Sequence, residues 1–116
     1  MSNFTINSEI ADDIFILRSN GYLDEFGGAK VFKAVEESLP EGCNKLILNL
    51  KESPVINSQG IAQIIELSEI IVDDKCGELA FVGLSDLTHG VFKMVGLLQM
   101  GNPFESEKEA IEAMRQ

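Results

Sequence analysis

Ile14-Phe15-Ile16-Leu17 is apolar at every position, and Lys45-Leu46-Ile47-Leu48-Asn49-Leu50 is nearly so. Apolar density on this scale, in runs too short for a helix, reads as strand, and the second run suggests a strand covered on both faces. Between and beyond these runs the period changes. Phe32, Val35 and Leu39, with Val31 beside them, follow helical spacing, and Ile61, Ile64, Ile65, Ile71 and Val72 do so again. Strands alternating with helices from Ile14 onward imply right-handed crossovers and a largely parallel sheet, an α/β architecture.

The boundaries follow from local chemistry. Thr5-Ile6-Asn7-Ser8 alternates weakly and reads as a first strand; a turn at Ala11-Asp12-Asp13 would pair it with the second as a hairpin and make the sheet mixed. Asn20-Gly21 ends the second strand, and Asp24 offers a carboxylate to the first amides of a helix running to about Leu39. Gly27-Gly28 weakens that helix's first turn and is expected to be a flexible entrance. Pro40-Glu41-Gly42 stops it, and Lys45 to Leu50 becomes a central strand. Gly77 is expected to close the second helix in a left-handed conformation before a strand over Glu78–Gly83. Ser85 or Asp86 caps a short helix carrying Leu87, Val91, Met94 and Val95, which Gly96 ends. Leu97 to Phe104 holds a short edge strand broken by Pro103. Ser106-Glu107-Lys108-Glu109 is a capping box opening a last helix with Ile111 and Met114 inward. The sum is about five strands and four helices in one domain over residues 1–116.

Nine basic against nineteen acidic residues give a net charge of −10. Such a chain repels the phosphates of nucleic acid and the anionic face of a membrane, so a basic or neutral protein partner is expected. No leader and no apolar run of membrane-spanning length is read, which points to the cytoplasm. Cys43 and Cys76 lack the spacing of a metal clip or redox motif and are read as free thiols. Glu36-Glu37 and Asp73-Asp74 sit on separate helices and read as solvated faces, so no metal or cofactor is expected.

Val55-Ile56-Asn57-Ser58-Gln59-Gly60 is a polar turn between a strand and a helix. Either Asn57 or Ser58 can cap the first amides, and a capping role alone would account for a serine here. The functional reading is that a hydroxyl at a polar helix mouth is reachable by a kinase. Phosphorylation there adds about two negative charges that favour the helix amides and oppose an acidic or close-fitting partner. A Ser58-His89-Asp86 triad can be drawn, since Asp86 precedes the only histidine by three positions, but no Gly-x-Ser-x-Gly elbow accompanies it. The chain is therefore read as a binding module and not an enzyme.

Gly21-Tyr22-Leu23-Asp24, Leu46-Ile47-Leu48-Asn49-Leu50, Val55 to Ile61 and Gly96-Leu97, taken in order, resemble the STAS domain of bacterial anti-sigma-factor antagonists over essentially the whole chain. Phe104-Glu105-Ser106 and Glu109-Ala110-Ile111 are similar to that family's last helix. The resemblance implies partner switching: the unmodified antagonist binds an anti-sigma factor that is a serine kinase, and phosphorylation by that kinase ends the interaction. It lays the phosphoacceptor on Ser58 and the pattern's glycine on Gly60. The implied docking surface comprises Asp24, Asn57, Ser58, Gln59, Gly60 and Ser85. Two positions depart from the pattern: Asn57 and Asn49 stand where aspartate is common. Asparagine keeps the size and an acceptor but not the charge. This favours an alternative reading, a non-phosphorylated STAS scaffold or a regulatory subunit of a transporter ATPase. The oligomeric state is not legible.

Overall fold

The computed structural model describes residues 3–115. Its sheet has the strand order β1 (Thr5–Ala11), β2 (Ile14–Asn20), β3 (Lys45–Glu52), β4 (Glu78–Val82) and β5 (Gly101–Phe104). β1 pairs antiparallel with β2 through a turn at Asp12-Asp13, and the remaining pairs are parallel. Four α-helices join them: α1 (Glu25–Ser38), α2 (Ser58–Glu69), α3 (Asp86–Met94) and α4 (Glu107–Met114). This is the mixed, mostly parallel five-stranded architecture that the alternating pattern implies.

The period-2 geometry of the strands divides their apolar runs between two layers. Phe15, Leu17, Leu46, Leu48, Leu50, Leu79 and Phe81 face one way, against Val31 and Val35 of α1, Ile64 and Leu67 of α2, and Phe92 of α3. Ile14, Ile16, Ile47, Ala80 and Val82 face the other way, against Ala110 and Met114 of α4. Both faces of β2, β3 and β4 are thus covered, which is why their sequences hardly alternate in polarity.

Arg18 and Asn49 occupy the α4 face where the next apolar residues would stand. Arg18 grips the Glu107 carboxylate with two donors, at 2.7 and 2.8 Å, and reaches Glu9 at 2.5 Å and Asn7 at 2.8 Å. Asn49 Nδ2 donates to the same Glu107 carboxylate at 2.6 Å. The guanidinium holds the Glu107 carboxyl below its usual range, and its own pKa is raised in return. This cluster fastens the first turn of α4 to the sheet. It also gives Asn49 a physical role: an aspartate there would set a second carboxylate against Glu107.

The readings of Gly77, of Gly27-Gly28 and of Pro103 are corrected. Gly77 does not take the left-handed conformation; Cys76 does, with φ of 53°. α2 runs on through a π-helical turn over Ile70–Asp74, and Gly77 is needed for close approach, since a Cβ there would lie 2.0 Å from the Asn44 carbonyl oxygen. Gly27-Gly28 is not a loose entrance. Both glycines are buried: a Cβ on Gly28 would meet the Gln63 side chain at 2.9 Å, so Gly28 lets α1 pack against α2, and a Cβ on Gly27 would meet the Phe4 ring and the Tyr22 carbonyl oxygen at 2.8 Å. The apolar residues of α3 do not all turn inward: Phe92 and Thr88 are buried, whereas Leu87, Met94 and Val95 are exposed. Pro103 lies within β5 without breaking it, on the sheet's edge where a missing amide is tolerated.

Candidate functional site

Three helix N-termini open along the carboxyl edge of the sheet, after β2, β3 and β4. Asp24 caps α1, accepting from the Gly27 amide at 2.9 Å; Asn57 caps α2, accepting from Gly60 at 2.9 Å; Ser85 caps α3, accepting from Thr88 at 3.1 Å. The connections are stitched together. Leu23 pairs with Ile56 in an isolated parallel bridge, the Leu23 amide donating to Val55 at 3.0 Å and the Asn57 amide to Leu23 at 3.2 Å. Asp24 and Asn57, one residue beyond each bridge partner, are therefore neighbouring caps. Ser85 Oγ donates to the Pro54 carbonyl at 2.9 Å, which ties the β4–α3 turn to the β3–α2 turn.

Gly60 is set by the same seam. A Cβ at this position would lie 2.0 Å from the Leu23 carbonyl oxygen, so only glycine lets the first turn of α2 rest on the chain leaving β2. The result is a rigid mouth in which Ser58 is the first helical residue.

The capping question that the sequence left open is resolved by these bonds. Asn57 is the cap, and the Ser58 hydroxyl is exposed and hydrogen-bonded to no described residue. Its position in the first turn, where no preceding turn supplies carbonyls, places it beside free helix amides and the positive end of the helix dipole. Gln59 is exposed as well, Asp24 and Asn57 are half-buried, and Gly60 is buried beneath them. Tyr22, Phe26, Val55 and Leu87 lie on the same connections and first turns, each with about half or more of its surface open to water. Sequence reasoning did not single out this apolar rim. The available signal was four large apolar residues placed next to caps and turns, Tyr22 and Val55 outside the helices and Phe26 and Leu87 in the first turns of α1 and α3.

No hydrogen bond joins Ser58, His89 and Asp86, so the triad drawn on paper has no counterpart among the described residues. Among the described residues no group of three or more His, Cys, Asp or Glu side chains is placed to hold a metal ion. Cys43 and Cys76 are both free thiols. No helix among the described residues is long and apolar enough to cross a membrane.

The family model of the STAS domain matches residues 5–110. The chain belongs to the STAS domain family. A curated relative, the anti-sigma F factor antagonist of Paenibacillus polymyxa, is 26% identical over 110 residues, spanning 94% of this chain and 93% of the relative. Among solved structures, a provisionally assigned anti-sigma factor antagonist of Thermotoga maritima superposes with a TM-score of 0.85 at 25% identity, covering 96% of this STAS domain and 95% of that chain. The phosphorylated form of the Bacillus cell fate determinant SpoIIAA gives a TM-score of 0.74 at 18% identity, with 95% and 99% covered, a likeness of fold.

Proposed function

We propose that this STAS domain is an anti-sigma-factor antagonist that docks a serine-kinase anti-sigma factor on the Ser58 surface and is released when Ser58 is phosphorylated. The observation that carries the reading is the division of labour at the mouth of α2. Asn57 does the capping, so the Ser58 hydroxyl serves no structural bond and stands in solvent. The named relatives support the same assignment.

In this reading the docking surface is Asp24, Asn57, Ser58, Gln59 and the Ser85 turn, with Gly60 shaping it from below. The apolar rim of Tyr22, Phe26, Val55 and Leu87 supplies the desolvated contact area that a small polar patch lacks. Asn57 retains the cap without a charge beside the acceptor. The kinase must then take the serine proton with its own groups, and phosphorylation remains chemically open. A phosphate on Ser58 gains from the α2 amides and brings two charges and three oxygens into a contact shaped for a hydroxyl. The protein acts by binding and not by catalysis, needs no cofactor, and works in the cytoplasm alongside the transcription machinery.

The test is a calorimetric titration of the kinase-type anti-sigma factor from the same cell with the parent chain and with Ser58→Glu. The substitution should weaken binding by at least about ten-fold, within the usual range of switch couplings. Equal affinities would remove Ser58 from the interface. Recovery of a transporter ATPase instead of an anti-sigma factor on this surface would favour the scaffold reading.

A further inference from the structure

The carboxyl edge of the sheet holds a second opening, beyond the Ser85 turn, whose lining includes none of Asp24, Asn57, Ser58 or Gln59. After β4 the chain turns to one face of the sheet, where Phe92 of α3 packs against Phe81 with ring centroids 5.0 Å apart. After β5 it turns to the other face, where Ala110 and Met114 of α4 cover Ala80 and Val82. Two adjacent parallel strands whose connections depart to opposite faces part the loops at their carboxyl ends. In open α/β sheets that crevice is where ligands bind. Here it is a cavity of about 520 Å³, within the size range of small-molecule sites.

Its lining carries both signs of charge. Lys51, at the end of β3, stands on one flank, and Glu105 and Glu109, after β5, stand on the other, with His89 of α3 also in the lining and Leu84 and Phe104 among its apolar part. β4 lies between the flanks, so the strand ends that carry these charges are two strand spacings apart, about 10 Å. Lys51 forms no ion pair with any described residue, although the other sheet-end cation, Lys45, is paired with Asp13 and Glu78. Gly83 sharpens the arrangement: it has φ of +73°, and a Cβ there would meet the Lys51 Cβ at 2.7 Å, so a side chain at this point would displace the lysine stem.

Charges of opposite sign that form no ion pair across a partly apolar cavity fit neither a simple anion nor a simple cation. Phosphate would face two carboxylates, and an amine would face the lysine. Both walls are satisfied by one molecule that carries both charges, separated by several atoms, on an apolar body. We propose that this crevice is a binding site for a small zwitterion of dipeptide size, its carboxylate on Lys51, its ammonium toward Glu105 and Glu109, and its apolar part against Leu84 and Phe104.

The assignment does not depend on the Ser58 reading. Its test is an amide chemical-shift titration of the full chain with the dipeptide glycyl-phenylalanine, its N-acetyl form, its C-terminal amide and inorganic phosphate. Shifts should concentrate at Gly83, His89 and Glu105, and each capped form should bind at least about ten-fold more weakly. Lys51→Ala and Glu105→Gln, both at exposed positions, should each weaken binding while their spectra stay folded, and Ser58→Ala should bind as the parent does. Absence of shifts at millimolar dipeptide, equal binding of the capped forms, tighter binding of phosphate, or full binding by both charge variants would overturn the proposal.

Discussion

Replacing Gly60 by alanine tests the seam that displays Ser58. The added methyl would lie 2.0 Å from the Leu23 carbonyl oxygen and 2.8 Å from its carbon. An ordinary carbon–oxygen contact is about 3.3 Å or longer, so the mouth of α2 must retreat by roughly 1.3 Å. That retreat strains the two hydrogen bonds across the seam, Leu23 to Val55 and Asn57 to Leu23, each worth about 1 kcal/mol. Overpacking adds about 1–3 kcal/mol, and alanine's better helix propensity returns about 1. The net loss is about 2–4 kcal/mol. With an unfolding entropy of roughly 0.24 kcal/mol/K for a chain of 116 residues, Tm should fall by about 8–16 °C. Gly90→Ala is the control. It lies in α3, where its added methyl would meet nothing within 4 Å beyond its chain neighbours and its own helix's backbone, and should raise stability by about 0.5–1 kcal/mol. Thermal and urea unfolding of both variants decide the matter; a Gly60→Ala protein as stable as its parent would refute the reasoning.

Asn49→Asp, a change toward the residue common in the family, should destabilise this chain by about 2 kcal/mol at neutral pH, because it removes a donor to the Glu107 carboxylate and adds a like charge; urea midpoints should converge with the parent's in acid, where the pair shares a proton. Arg18 keeps Glu107 ionised in the folded state at pH values where the unfolded chain takes up a proton. The resulting stability is complete above about pH 5 and is lost as pH falls through the lowered folded pKa, so Glu107→Gln should show a shallower acid-side loss in urea midpoints measured from pH 7 to pH 3. An unchanged slope would remove Glu107 from the acid response.

The layers of this fold were legible because the strands carry their burial openly. Ile14 to Leu17 and Leu46 to Leu50 are apolar on both faces, and both faces proved to be covered. The caps Asp24 and Ser106 were legible for a similar reason, since each stands directly before a helical stripe with amides to satisfy, whereas Ser85 was one of two candidates with Asp86 until its bond to Thr88 decided between them. What the sequence hid depends on distance between segments remote in the chain. Gly28 and Gly77 look like punctuation in a local reading, yet their small size is required by Gln63 and Asn44. Leu87, Met94 and Val95 match helical spacing as well as a core stripe would, and only the placement of Phe92 and Thr88 turns them outward. The Ser58 region was legible as a strand, a polar turn and a helix. The choice between Asn57 and Ser58 as cap rests on one hydrogen bond to Gly60, which spacing alone does not distinguish.

The most direct measurement is site-resolved mass spectrometry of the chain after incubation with ATP and the proposed partner, the kinase-type anti-sigma factor from the same cell. One phosphate on Ser58, absent from Ser58→Ala and accompanied by loss of the complex, is the predicted result. Modification at another residue, or a complex indifferent to a phosphate on Ser58, would contradict it.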